Sequence, residues 1–269
     1  MTINRPDGRK IDEMRKMTAK VGIIKRADGS ALFQIGDTIA IAAVYGPREL
    51  HPRFLQNPEK ALLRCHYDMA SFSVSERKKP GPSRRGTEIS MVTEKALSGV
   101  IDLRLFPNAV IDVFIQIIQA NAGTRCAGIT AAAMALAHAG VPMKEMVAAV
   151  SVGKIGNQIV LDLTKEEEDW EDGATDIPVA MSSYKRGITL LQLDGEITKK
   201  ELMDAIKLAG KGCNEIFKLQ EKVLKGAYAD KGTSDRGDSP LLSPNLVQPR
   251  DKGYGSRHET PATDGGENE

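Results

Sequence analysis

Few residues in this chain could staple or anchor it: of 269 residues, three are cysteine, four histidine and one tryptophan. Cys65, Cys126 and Cys213 are far apart and odd in number. That spacing argues against a disulfide framework or a zinc site and predicts three reduced thiols in small core positions. No segment approaches the ~20 apolar residues of a membrane span. The N-terminal MTINRPDGRK carries charge where a signal peptide needs an apolar stretch. The expectation is a cytoplasmic protein that makes no use of a membrane. Excess charge is missing too. A formal net charge of +1 excludes binding to nucleic acid by bulk basicity and leaves that work to local clusters.

Two common enzymatic signatures are also absent. No G-x-x-x-x-G-K-[ST] occurs, so nucleoside triphosphate hydrolysis loses its usual support. His51, His66, His138 and His258 stand in no suggestive spacing with a nucleophile.

What is present is an alternation of short apolar runs, turns and helical patterns. From Gly22, GIIKRADGSALFQIGDTIAIAAVYGP places Asp28-Gly29 and Gly36-Asp37 between β-branched runs, the pattern of antiparallel strands. EISMVTEKALSGV predicts a helix starting near Glu88, and NAVIDVFIQIIQA a buried strand. GTRCAGITAAAMALAHA, from Gly123, predicts a helix of small residues buried on several faces, stopped by Gly140 and Pro142. VAAVSVGKIGNQIVLDLT then reads as a hairpin about Gly156-Asn157, and ITLLQLDGE as a strand. A long amphipathic helix follows, with Thr198 and Glu201 forming a T-x-x-E capping box. The fold class is therefore α+β, with two similar βα halves in residues 1–230. From residue 231 to 269 the chain is Gly, Ser, Pro, Asp and Lys with few large apolar groups, a composition that predicts disorder.

Three local clusters carry chemistry. SERKKPGPSRR, Ser75 to Arg85, gathers Arg77, Lys78, Lys79, Arg84 and Arg85 around two prolines, and arginine forks match phosphate oxygens. The string is otherwise a solvated charged face. Gly123-Thr124-Arg125 sits before a helix, where free amides, a hydroxyl and a guanidinium could hold an anion or simply cap the helix. EEEDWEDGATD supplies carboxylates. Most must face solvent, but Asp176 enters the apolar run IPVAM, where partial burial would raise its pKa toward that of a general acid.

The order and spacing of RPDGRK, SERKKPGPSRRGTEIS, NAGTRCAGITAAAMALAHAGVPM, VGKIGNQIVLDLT and ATDIPVAM resemble the RNase PH family over roughly residues 5–228, and within it the catalytic RNase PH-type subunits of archaeal exosomes. The resemblance implies a duplicated ribosomal-protein-S5-domain-2-like fold and a hexameric ring shared with a related, inactive subunit. It also implies cap proteins with RNA-binding domains and single-stranded RNA as substrate. The implied reaction is phosphorolysis from the RNA 3′ end with inorganic phosphate as co-substrate, releasing nucleoside diphosphates and reversible as 3′ tailing.

By motif, the resemblance assigns phosphate binding to Gly123, Thr124 and Arg125, and RNA binding to Arg84, Arg85 and Arg77. His51 and Arg53 fall on a loop that would line the channel neck. Asp176 and Asp169 become the catalytic acids or the ligands of a magnesium ion, with Asp172 as an alternative to Asp169, because the spacing of the two acids departs from the family pattern by one residue. Two rival expectations are a homohexameric RNase PH trimming tRNA 3′ ends and a non-catalytic RNA-binding ring scaffold.

Overall fold

The computed structural model describes residues 5–231, apart from 77, 171–173 and 186. The expected disorder of 231–269 and the roles expected of Arg77 and Asp172 lie outside the described residues, save for Lys231, which ends a helix.

Alternation of residue type builds the first sheet. Strands β1 (Met17–Val21), β2 (Gly29–Ile35), β3 (Thr38–Glu49), β4 (Leu62–Met69) and β5 (Ala109–Gln119) lie in the order β1-β2-β3-β5-β4. All pairs are antiparallel except β4 with β5. In β5, Ile111, Val113, Ile115 and Ile117 are buried, while Asp112, Phe114 and Gln116 point to the other face. Each buried isoleucine contributes about 2 kcal/mol of apolar transfer. On the opposite face Arg64 makes a two-point ion pair with Asp112, at 2.7 and 2.9 Å, and His66 stacks on Phe114. Strands β1 and β4 are passed over by the sequence reading, β4 because LLRCHYDM mixes Arg, His and Asp into its apolar pattern.

Helix α1 (Arg84–Ser98) packs on β4, and α2 (Thr124–His138) lies against β2, β3 and β5 on one side and β6 on another. Burial of α2 on nearly every face explains its composition, since only small residues let strands pass so close. At Gly29 a Cβ would sit 2.3 Å from the Ala135 carbonyl oxygen, so β2 crosses α2 at backbone contact. The helix ends as expected, with Gly140 at φ +75°.

The second sheet has the order β7-β6-β8-β9, all antiparallel: β6 (Val147–Ile155), β7 (Gln158–Leu161), β8 (Ala174–Ser182) and β9 (Ile188–Leu191). The turn between β6 and β7 is the expected Gly156-Asn157. A four-residue helix, α3 (Lys165–Glu168), leads into β8, and α4 (Lys199–Lys231) covers β6, β7 and β8. At its start Glu201 Oε2 accepts from Thr198 N–H at 2.9 Å while Thr198 Oγ1 accepts from Glu201 N–H, the expected capping box. All three cysteines are free and buried, and burial pushes the Cys213 thiol up to about 12. The two halves share one apolar core, in which Ala131, Met134 and Leu136 of α2 meet Val150 and Val179 of the second sheet.

Candidate active site

The paired arginines stand closer to a helix than their sequence suggests. Helix α1 begins at Arg84, four residues ahead of the expected start, because Ser83 takes extended backbone and its Oγ accepts from Gly86 N–H at 3.0 Å. Arg84 and Arg85 are thus the first two helical residues, exposed on a rigid element. Gly86 allows the close seating of this turn: a Cβ there would stand 3.1 Å from the Tyr67 carbonyl oxygen of β4. Lys78 has a structural task, its Nζ donating to Asp68 Oδ1 at 2.6 Å and to the Met69 carbonyl at 3.1 Å.

The turn before α2 is held from below. Ala122 and Gly123 both take left-handed backbone, at φ 58° and 63°. Thr38 Oγ1 lies 2.8 Å from the carbonyl oxygens of Asn121 and Ala122 and accepts from Asn121 N–H at 2.9 Å. Arg15, itself buried, donates from Nη1 to the Asn121 carbonyl and grips Asp162 through Nε at 2.8 Å and Nη2 at 2.6 Å. Asp162 also accepts from Arg9 Nη1 at 3.2 Å, and Arg5 forks onto Glu167 at 2.7 and 2.9 Å. The N-terminal RPDGR segment therefore clamps the β7 end and α3 beneath the turn.

The N-cap residue Gly123 has no side chain to cap α2, and its amide faces the Glu168 carboxylate. The Thr124 hydroxyl is buried beside the Tyr67 phenol, which burial pushes up and the Thr124 hydroxyl holds back. Thr124 therefore offers the site its backbone amide rather than its hydroxyl.

One cavity collects the pieces. Arg84, Arg85 and Arg125 line it together with Asp176, Asp194, Glu88 and Gln192. Asp176 is the third residue of β8, at the strand start expected from its sequence, and Ser151 of β6 donates to its Oδ1. Burial pushes the Asp176 carboxyl up, against the Ser151 hydrogen bond and the charge of Arg125; Asp194 adds to the rise and Arg85 opposes it. A carboxyl so placed keeps a proton further up the pH scale than a solvated one.

The second acid differs from the expectation. Asp169 caps the C-terminus of α3, its side chain is 63 % exposed, and its carboxylate pairs with Lys165 at 2.7 Å. It does not line the cavity. Its neighbour Glu168 instead lies partly buried at the site, its carboxyl raised by burial and by the charge of Asp176, with Arg85 and the Gly123 amide acting the other way. The register of a short helix decides which of two adjacent acids turns inward, and the sequence offers no sign of it.

Magnesium takes six oxygens and usually keeps several waters, binding through one or two carboxylates plus substrate phosphates. Asp176 fits that role as a single carboxylate beside an arginine-lined cavity. Asp169 is exposed and outside the lining of that cavity. Among the described residues no group of three or more His, Cys, Asp or Glu is placed to hold a metal, so an ion here would depend on phosphate oxygens from the substrate.

His51 and Arg53 sit apart from the cavity, on the β3–β4 loop that carries a 3-10 turn at Arg53–Leu55. Their side chains are 67 % and 82 % exposed, each at the margin of ion pairing with Glu49, at 3.7 and 4.0 Å.

Sequence comparison then gives the family. Residues 13–142 match domain 1 of the 3′ exoribonuclease family RNase PH, and residues 145–212 match domain 2. The chain belongs to the RNase PH family.

Within that family it is 54 % identical, over 83 % of its length and 89 % of the relative, to the exosome complex component Rrp41 of Pyrococcus furiosus. It is 50 % identical to the Rrp41 of Methanopyrus kandleri, over 83 % of this chain and 93 % of that one. Among solved structures, rice Rrp46 superposes with a TM-score of 0.74 at 25 % identity, over 82 % of this chain and all of that chain. The RNase PH family domains meet where α2 and β6 pack, and the cavity draws lining residues from both.

Four contributors were not singled out in the sequence: Glu88, Gln192, Asp194 and Glu168. Nothing in TLLQLDG ties its glutamine or aspartate to an arginine almost seventy residues earlier. Only the packing of the end of β9 with α1 and α2 does so.

Proposed function

We propose that this chain is the catalytic RNase PH-type subunit of an archaeal exosome ring, degrading RNA from the 3′ end with inorganic phosphate. The observation that carries the reading is the cavity in which Arg84, Arg85 and Arg125 surround Asp176, in a chain about half identical to archaeal Rrp41 over most of its length. That likeness favours the exosome subunit over a homohexameric RNase PH that trims tRNA ends. It favours a catalytic subunit over a scaffold, since paired arginines, the GTR turn and Asp176 are all present. The partners in this reading are a related, inactive RNase PH-type subunit that completes the hexameric ring and cap proteins with RNA-binding domains.

The residues divide the chemistry. Arg84 and Arg85, at the head of α1, hold phosphates of the terminal nucleotides without reading bases, which predicts little sequence preference and strong salt dependence. The amides of the Gly123-Thr124-Arg125 turn and the Arg125 guanidinium hold inorganic phosphate. One of its oxygens attacks the phosphorus of the last phosphodiester. The bond to the 3′ oxygen of the penultimate nucleotide breaks, and the terminal nucleotide leaves as a diphosphate. Asp176, its carboxyl raised by burial, gives a proton to the departing 3′ oxygen. The three guanidiniums offset charge on the phosphoryl oxygens, so positioning and electrostatics supply most of the rate gain. Were Asp176 instead ionised and holding a magnesium ion with substrate oxygens, the ion would supply Lewis-acid charge to the departing oxygen in place of that proton. His51 and Arg53 contact RNA on its way to the site.

The deciding experiment uses the native complex carrying a tagged copy of this chain, given single-stranded RNA with and without inorganic phosphate. Nucleoside diphosphates appearing only with phosphate are the expected products. Monophosphates formed regardless of phosphate would mean hydrolysis and sink the reading.

A further inference from the structure

Arg125 enters the cavity from the first turn of α2, and residues on two other elements grip its guanidinium. Gln192, just beyond β9, accepts from Arg125 Nη1 through its Oε1. Its Nε2 donates to Glu88 Oε1 of α1 at 3.0 Å. Glu88 Oε1 in turn stands 3.5 Å from Arg125 Nη2. The three side chains close a triangle that joins α1, α2 and β9.

This triangle has only one polarity. Glu88 is an acceptor and Arg125 a donor, so the amide of Gln192 must turn its oxygen to the arginine and its nitrogen to the glutamate. The backbone of Gln192 is fixed as well, its N–H donating to the Pro178 carbonyl at 3.1 Å, two residues beyond Asp176 in β8. Arg125 Nε is buried with no hydrogen-bond partner. An arginine tied in this way has given up its side-chain freedom before any ligand arrives, so less is lost on binding.

We infer that Gln192 and Glu88 are positioning residues for inorganic phosphate, acting by orienting Arg125. The inference rests on the phosphorolytic reading above and extends it across the two halves of the chain. Arg125 and Glu88 come from the first family domain and Gln192 from the second, so the phosphate site is complete only when the halves are packed together.

The test measures the assembled complex with the full chain, by two readouts. In steady-state phosphorolysis, Gln192→Met and Glu88→Ala each raise the KM for inorganic phosphate about tenfold, while the KM for RNA and ring assembly stay unchanged. Glu88→Gln, which keeps an oxygen facing Arg125, falls between wild type and Glu88→Ala.

The second readout is the rise in melting temperature caused by inorganic phosphate, which needs no turnover. Gln192→Met shrinks that rise in the wild-type background and has no further effect in an Arg125→Ala background. An equal rise in Gln192→Met and wild type would overturn the clamp, as would a further loss in the Arg125→Ala background. A higher KM for RNA with the phosphate KM unchanged would overturn it too. Should wild type show no phosphate-dependent rise and no diphosphate products, the phosphorolytic reading itself falls, and that outcome is separate from the others.

Discussion

Asp176 and Asp194 face each other across an antiparallel bridge, each N–H donating to the other's carbonyl at 2.9 Å, and both line the arginine cavity. Directly opposed residues in such a bridge project to the same face. The bridge thus brings a second negative charge beside a carboxyl already raised by burial.

Asp176→Asn should separate activity from stability. Turnover is expected to fall to background while RNA affinity is kept, since the arginines supply binding. The folded chain holds the Asp176 proton above the pH at which the unfolded chain releases it, so the group opposes folding increasingly as pH rises past the ordinary value of 3.8. The asparagine variant should melt a few degrees higher at pH 7, at roughly 2–4 °C per kcal/mol, with the gain vanishing below about pH 3.8. Scanning calorimetry at two pH values checks this; a lower melting temperature at pH 7 would contradict it.

Charge reversal at the head of α1, Arg84→Glu with Arg85→Glu, should weaken RNA retention at least tenfold at physiological salt. Losing two phosphate contacts on a single strand should also flatten the dependence of affinity on salt by about 1.4 in log–log slope. Filter binding across salt concentrations measures both. Unchanged affinity would remove these residues from the RNA path.

The two adjacent acids of α3 should behave differently. Glu168→Ala is expected to lower turnover more than tenfold, because that carboxyl faces Asp176 and Arg85. Asp169→Ala removes an exposed i,i+4 ion pair with Lys165 and should leave turnover within about twofold, since such pairs contribute little. The reverse ranking would restore Asp169 as the second acid.

Asp162→Asn should unsettle the floor of the Ala122–Gly123 turn, the proposed phosphate site. It leaves the buried Arg15 guanidinium half-paired, a change that typically costs about 3–5 kcal/mol, and slackens the arginine that holds Asn121. Denaturant unfolding reads the first effect and the KM for phosphate the second. A stability loss under ~1 kcal/mol would show that the pair is dispensable.

Gly123→Ala tests the backbone itself. The residue has φ +63°, where an added Cβ meets nothing nearer than Arg15 Nη2 at 3.5 Å. The cost is therefore conformational, about 1–2 kcal/mol. A rise in the KM for phosphate should accompany it, and a smaller effect for Gly123→Asn would identify left-handed backbone as the cause.

Much of this was legible in the chain. Local signals located β5, α2, the β6–β7 turn and the Thr198 cap: a strand alternates, a buried helix is small, a turn takes Gly-Asn, a cap needs a hydroxyl three residues before an acid. Asp176 was readable because an acid entering an apolar strand is rare. Strand β4 was not, since its outer residues are satisfied by partners on β5 such as Asp112, far away in sequence. The choice of Glu168 over Asp169 depends on a one-residue turn of α3 that both sequences of events, folding in or out, would spell with the same letters.

By itself, then, the order of residues determined most of the strands and helices, that the three cysteines are free and buried, and that Arg84, Arg85, Arg125 and Asp176 are candidates for one site. Tertiary structure alone decided which of them meet. Glu88, Arg125 and Gln192 lie on three elements from two halves, and hydrogen bonds among them form only once α1, α2 and β9 have packed. Local signals are carried by neighbours along the chain, whereas a site is a coincidence in space, reached through the burial of a core that those signals specify only collectively.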